Sequence, residues 1–143
     1  MKFFKFLLVL SWGLFLCLNT FTDDLEELLS GERVGFVWNA SPDYAAMLNM
    51  NDLTTIHPDF VIVKLGHLVG FGLFDLLVFW WLKRHVRSFF ISVAFAIFTE
   101  IFQLYFGRDG RLYDIVIDSI GIILVFALLK RINRKKMSNT MAR

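Results

Sequence analysis

The apolar positions of this chain gather into four long runs, 3–21, 60–82, 88–106 and 113–129, with polar segments between them. Each run approaches the roughly 20 residues that an α-helix needs to cross the hydrocarbon core of a bilayer. The pattern predicts an all-α membrane protein with four transmembrane helices, in one domain covering 1–143. The first run follows Lys2 and Lys5, so it has the outline of a signal peptide. Its apolar core nevertheless continues through Phe21 with no small-x-small site after it, and Leu14, Phe15 and Leu16 are too bulky to precede a lipoprotein cysteine at Cys17. It reads as an uncleaved span.

The polar residues inside the runs matter most. Lys64, His67 and Asp75 lie in the second, Glu100 and Gln103 in the third, Asp114 and Asp118 in the fourth. An Asp, Lys or Arg at the centre of a spanning helix costs roughly 2.5–3.5 kcal/mol on the insertion scale. Such residues therefore pair, face a cavity, or serve a function. At 100° per residue, Lys64, His67, Phe71 and Asp75 share one stripe. Glu100 and Gln103 share a face, with Ala96 and Ser92 below them. Asp114 and Asp118 share a face that Gly121 continues, and a small residue there permits close helix approach. In depth, His67, Glu100 and Asp118 fall at one level, about one turn outside the midplane. Lys64, Gln103 and Asp114 fall one turn higher, and Asp75 lies below. The first run is less polar, with Ser11, Trp12 and Asn19, and is expected to pack on the outside of this cluster or to close it.

Charge gives an orientation. Lys2 and Lys5, then Lys83, Arg84 and Arg87, then Lys130, Arg131, Arg134, Lys135, Lys136 and Arg143 fall on one side of a four-span chain. The loop 22–59 carries Asp23, Asp24, Glu26, Glu27, Glu32, Asp43, Asp52 and Asp59 against Arg33. The excess of Lys and Arg on the inner side predicts cytoplasmic N- and C-termini and an external 22–59 loop. Within that loop, residues 23–29 read as a short helix with Thr22 or Asp23 as N-cap and Gly31 as its stop. The tail 130–143 is basic, but it is short and lacks interleaved aromatics, so no nucleic-acid partner is expected. Attraction to anionic lipid accounts for it. The chain is 57% hydrophobic, above the usual 45–50% of soluble domains, and its single cysteine excludes an internal disulfide.

The third loop, Gly107 to Arg111, is a tight turn that puts Arg108 and Arg111 above the buried acids. Guanidinium groups bind phosphate or carboxylate through paired donors, so the two form a candidate anion clamp, or else they neutralise Glu100, Asp114 and Asp118. Several readings of the cluster stay open. It can bind an anionic headgroup or drug through Lys64, Arg108 and Arg111. It can act as an enzyme on a lipid or lipid-linked envelope intermediate, with His67 as acid–base and Glu100 or Asp118 as a second group. It can relay protons with Asp75, or simply fix helix register. His67, Glu100 and Asp118 offer one nitrogen and two carboxylates to a divalent ion, but they show no recognised ligand spacing, so no metal and no cofactor is expected.

These residues resemble the VanZ-like family of small bacterial membrane proteins. The resemblance is carried by Lys64-x-x-His67, Glu100-x-x-Gln103, Gly107-Arg108 and Asp114-x-x-x-Asp118-x-x-Gly121, over about residues 60–125. Asp75 and Arg111 stand outside the family pattern. The resemblance implies a multi-pass protein of the bacterial cytoplasmic membrane, and its namesake is associated with reduced susceptibility to the glycopeptide teicoplanin. It brings no reaction with it. The motif set it marks is Lys64, His67, Glu100, Gln103, Arg108, Asp114 and Asp118. The expected partners are the bilayer and an anionic lipid, a lipid-linked precursor or a glycopeptide.

Overall fold

In a computed structural model, the backbone is described at 1–51 and 58–141 and the side chains at 1–51 and 60–134. The acids Asp52 and Asp59 and the basic residues Lys135, Lys136 and Arg143, all used in the charge argument, lie outside the described side chains. The described residues form helices and no strands: α1 (Lys2–Phe21), α2 (Leu25–Ser30), a 3₁₀ turn (Tyr44–Leu48), α3 (Pro58–Leu82), α4 (His85–Tyr105) and α5 (Leu112–Met141). Four of them, Lys2–Phe21, Phe60–Leu82, His85–Tyr105 and Leu112–Arg134, are long and apolar enough to span a membrane.

Three boundaries differ from the sequence reading. The second loop shrinks to Lys83 and Arg84, with Lys83 in the left-handed region at φ 57°, because α4 already begins at His85. The basic tail after the fourth apolar run is helical, since α5 continues to Met141. No Gly or Pro follows Gly121 in that stretch, and Lys and Arg are good helix formers. The short loop helix α2 is capped by Asp24, not by Thr22 or Asp23. The Asp24 carboxylate accepts from the Glu26 and Glu27 amides at 2.8 and 3.0 Å. Gly31, at φ 77°, ends it as expected.

The closest packing joins α3 to α5. Gly121 lies directly against the Leu68 carbonyl, and a Cβ built on Gly121 would collide with that oxygen. A Cβ on Gly72 would stand 3.1 Å from the Gly121 carbonyl oxygen. Small residues at both points let the two backbones touch, so dispersion and close polar contact replace the hydrophobic drive that is absent between helices in lipid. The apolar core is centred on Phe71, Phe74, Val78, Ala96 and Ile122, with Phe74 stacked on Phe95 at 4.5 Å. The first helix packs on the outside of this core. Gly13 of α1 faces the rings of Phe74 and Phe95, and the Trp12 indole donates to the Gly70 carbonyl at 2.9 Å.

The bundle sorts its charged segments by end. Phe6 packs on Trp81, and Asn133 meets His85 at 2.7 Å, so the start of α1, the α3–α4 turn and the end of the α5 span lie together. At the opposite end, the Asn39 amide donates to the Tyr105 carbonyl at 2.7 Å, which ties the first loop to the end of α4.

Candidate functional site

At the loop-bearing end, α3, α4 and α5 bring their polar stripes together at two levels. On the upper level Lys64 of α3 bonds Asp114 of α5, Nζ to Oδ2, at 2.7 Å. One turn deeper, His67 of α3 meets Asp118 of α5, Nδ1 to Oδ1, at 3.1 Å, and Glu100 of α4 lies 3.9 Å from the same nitrogen. The pairing by depth read from the helical period is the pairing the helices make. Gln103 lies one turn from Glu100 on α4, and its amide donates to Glu100 Oε1 at 3.1 Å. Glu100 and Asp118 have no exposed surface, and Asp114 has 3%. Two acceptor atoms of this cluster, Asp114 Oδ1 and Asp118 Oδ2, are buried with no hydrogen-bond partner among the described residues. Buried polar atoms are nearly always paired, so two orphans side by side are unusual.

The roof of the cluster is the turn between α4 and α5. Gly110 presses on the Glu100 carbonyl so closely that a Cβ would collide with it. That approach lets the next residue donate its backbone amide to Glu100 Oε2, at 3.0 Å. Arg111 thus gives Glu100 its backbone N–H. Its buried guanidinium donates to the Ala46 carbonyl at 2.8 Å and lies 3.3 Å from Asp109, and so holds the 3₁₀ turn of the first loop. Arg108 differs. Its Nη1 donates to the Asp23 carbonyl at 2.9 Å, and among the described residues it makes no ion pair. Of the two arginines singled out in the sequence, Arg108 keeps a cationic group for the cavity and Arg111 straps the loop to the bundle.

Beneath this roof lies a cavity of about 310 Å³, lined by Lys64, His67, Gln103, Arg108, Arg111 and Asp114 from the sequence-predicted set. Asn19, a polar residue of the first run, also lines it, as do Asp23 and Tyr113, which the sequence did not assign to the cluster. A second, apolar groove of about 320 Å³ runs along the α1–α3 face, between Trp12, Phe15 and Leu16 on one side and Ile62, Gly66 and Val69 on the other. The two share Asn19, Thr20, Leu25, Val63 and His67, so they adjoin, with His67 at the junction. Gly66 leaves the groove open, since a Cβ there meets nothing within 4 Å. The groove depends on how α1 lies against α3, which helical periodicity does not specify.

Asp75 lies apart from this site, toward the other end of the bundle. It is fully buried, accepts from the Ser92 hydroxyl at 3.1 Å, and leaves Oδ2 unpaired among the described residues. In the first loop, outside the spans, Arg33 lies 2.6 Å from Glu27 and 3.1 Å from Asp23. The Glu27 hydrogen bond, followed by the nearby Asp23 charge, raises the Arg33 pKa above its ordinary value. These exposed pairs stiffen the loop locally and add little to stability.

Comparison with known proteins gives a consistent picture. The family model described as VanZ/LLP1 matches residues 3–133. An uncharacterized membrane protein of Bacillus subtilis (strain 168), YwnJ, is 34% identical over 131 residues, which cover 91% of this chain and 93% of the relative. No solved structure matches.

Proposed function

The chain belongs to the VanZ/LLP1 family, and from that premise we propose that it is a receptor for an anionic amphiphile. The headgroup occupies the polar cavity, facing Arg108 and Lys64, and the acyl chain lies in the groove between α1 and α3. The observation that carries this reading is the junction of the two spaces: a polar chamber with a cationic edge adjoins an apolar groove, and His67 lines both. Ligand sites are typically apolar clefts with a few placed polar groups, in the size range of about 300–1,000 Å³. Arg108 is the primary anion partner, because a guanidinium offers paired donors to phosphate or carboxylate. Lys64 contributes charge while bound to Asp114.

The Lys and Arg distribution gives the orientation in this proposal: both termini in the cytoplasm of a bacterial cell, the first loop outside, and the cavity in the outer leaflet. A single cysteine replacing Ser41, in a background with Cys17→Ser, is expected to react with an impermeant maleimide added to intact cells, and one replacing Arg84 is not. The opposite labelling would move the cavity to the inner leaflet. The amphiphile is a phospholipid or a lipid-linked envelope intermediate. Altered glycopeptide susceptibility follows in this proposal as a consequence of binding such a molecule or a drug of similar chemistry.

Gly66→Phe tests the channel. A Cβ at this position meets nothing within 4 Å, and Gly66 lines the groove that the ring is to fill. Purified protein is expected to bind a fluorescent phosphatidylglycerol analogue at least tenfold more weakly after this change, with unchanged thermal stability. Equal binding would remove the groove from the site. An enzymatic reading is favoured by one observation, the 3.1 Å contact of His67 with Asp118 at the junction where a scissile headgroup bond would lie. Product formation from lipid-linked wall precursors incubated with the purified protein would establish it over simple binding.

A further inference from the structure

We propose that His67, Glu100 and Asp118 form a site for a divalent cation of the zinc class at the floor of the polar cavity, with one coordination position open toward the cavity.

The three residues come from three helices, and one donor atom of each lies within 4.8 Å of the other two. Zinc binds imidazole nitrogen and carboxylate oxygen at about 2.0–2.2 Å, which places neighbouring donors roughly 3–3.5 Å apart. The His67–Asp118 separation of 3.1 Å already falls in that range, and the His67–Glu100 separation of 3.9 Å needs a shift of about half an ångström. The donor set also selects the ion. Imidazole suits zinc and its transition-metal neighbours, whereas calcium and magnesium prefer oxygen alone.

A second observation points to a missing cation independently of these distances. Asp118 is fully buried, and its Oδ2 has no partner among the described residues. The nearest described cation on that face, Lys64, is engaged by Asp114 at 2.7 Å, and Asp114 itself leaves Oδ1 unpaired. Buried carboxylates without enough donors are costly, and an ion held between Glu100 and Asp118 would remove that cost. The surroundings resemble the support that ligating carboxylates receive in metal sites. The Arg111 backbone amide and the Gln103 side-chain amide each hold one oxygen of Glu100, at 3.0 and 3.1 Å, which fixes its orientation. The three ligands show no recognised spacing along the chain because 51 positions separate His67 from Asp118, and they converge only when α3, α4 and α5 pack.

The open position would accept an anionic oxygen of the bound headgroup, and this role alone rests on the amphiphile reading above. The test uses the full chain purified in detergent, stripped with a chelator and titrated with Zn²⁺ alone, with Ca²⁺ as the comparison. One equivalent of Zn²⁺ is expected to bind, with Ca²⁺ at least a hundredfold weaker. Glu100→Gln and Asp118→Asn should each weaken Zn²⁺ binding tenfold or more, while Glu32→Gln, at an exposed site in the first loop, leaves it unchanged. Absence of a saturable single equivalent in the wild-type protein would overturn the proposal, as would undiminished binding in both variants. X-ray absorption at the zinc edge of the wild-type protein does not depend on whether the variants fold. It should show imidazole and light-atom ligands, and a sulfur ligand from Cys17 would overturn the assignment. Measuring phosphatidylglycerol retention in the same samples separates the two readings. Retention without zinc binding defeats the metal site alone, and zinc binding without retention defeats the amphiphile reading alone.

Discussion

Gly121→Ala is expected to destabilise the protein by about 3 kcal/mol, the upper end of the usual range for overpacking a tight contact. A Cβ at this position runs into the Leu68 carbonyl, which is backbone and cannot rotate away, so α5 must move off α3. The comparison that gives this result its meaning is Gly66→Ala on α3, where a Cβ meets nothing. Alanine is favoured over glycine in a helix by about 1 kcal/mol, so Gly66→Ala should be neutral or stabilising. Opposite signs for the same chemical change, read by thermal unfolding in one detergent, would show that the α3–α5 contact holds the polar residues in place. Equal stability of the two variants would mean that the helices pack more loosely than the Leu68–Gly121 contact requires.

Lys64→Met is expected to have the second large effect, a loss of about 3–5 kcal/mol, because it leaves Asp114 buried beside no cation. The pair is short, 2.7 Å, and the Asp114 side chain is only 4% exposed. Asp114→Asn should cost less, since it removes a buried charge and leaves Lys64 near the cavity mouth. The double variant Lys64→Met with Asp114→Leu should recover most of the stability lost in Lys64→Met. Removal of both members of a buried ion pair is often close to neutral, while removal of one is not. Such a recovery, with amphiphile binding still lost, would separate a functional lysine from a structural one. If Lys64→Met alone unfolds at the wild-type temperature, the pair is exchanging with water and does not organise the site.

Much of this arrangement is legible in the residues, and the division has a physical basis. A helix repeats every 3.6 residues and rises 1.5 Å per residue, so face and depth follow from position alone. That is enough to place Lys64 with Asp114, and His67 with Glu100 and Asp118. The roles of the two arginines were not legible, because a turn has no period. That Arg111 reaches Glu100 through its backbone amide depends on Gly110 pressing against the Glu100 carbonyl. The same holds for the N-cap of α2: three consecutive capping candidates, Thr22, Asp23 and Asp24, differ only in which one the chain leaves extended. The groove on α1 is equally hidden: Trp12 and Asn19 mark the first run as partly polar, but its position on α3 and the space left by Gly66 appear only when the two helices pack. The apolar run 113–129 marks the part of α5 that suits a bilayer and not the end of the helix, because Lys and Arg continue a helix beyond the apolar layer.

The central claim is that the polar cavity and the α1–α3 groove hold one anionic amphiphile together. Mass spectrometry of the intact protein, released gently from mixed micelles of phosphatidylglycerol and phosphatidylcholine, tests it directly. One phosphatidylglycerol should remain bound per chain, in strong preference to phosphatidylcholine, and Arg108→Gln should abolish the preference. Retention of both lipids in proportion to their supply, unchanged by Arg108→Gln, would contradict the account.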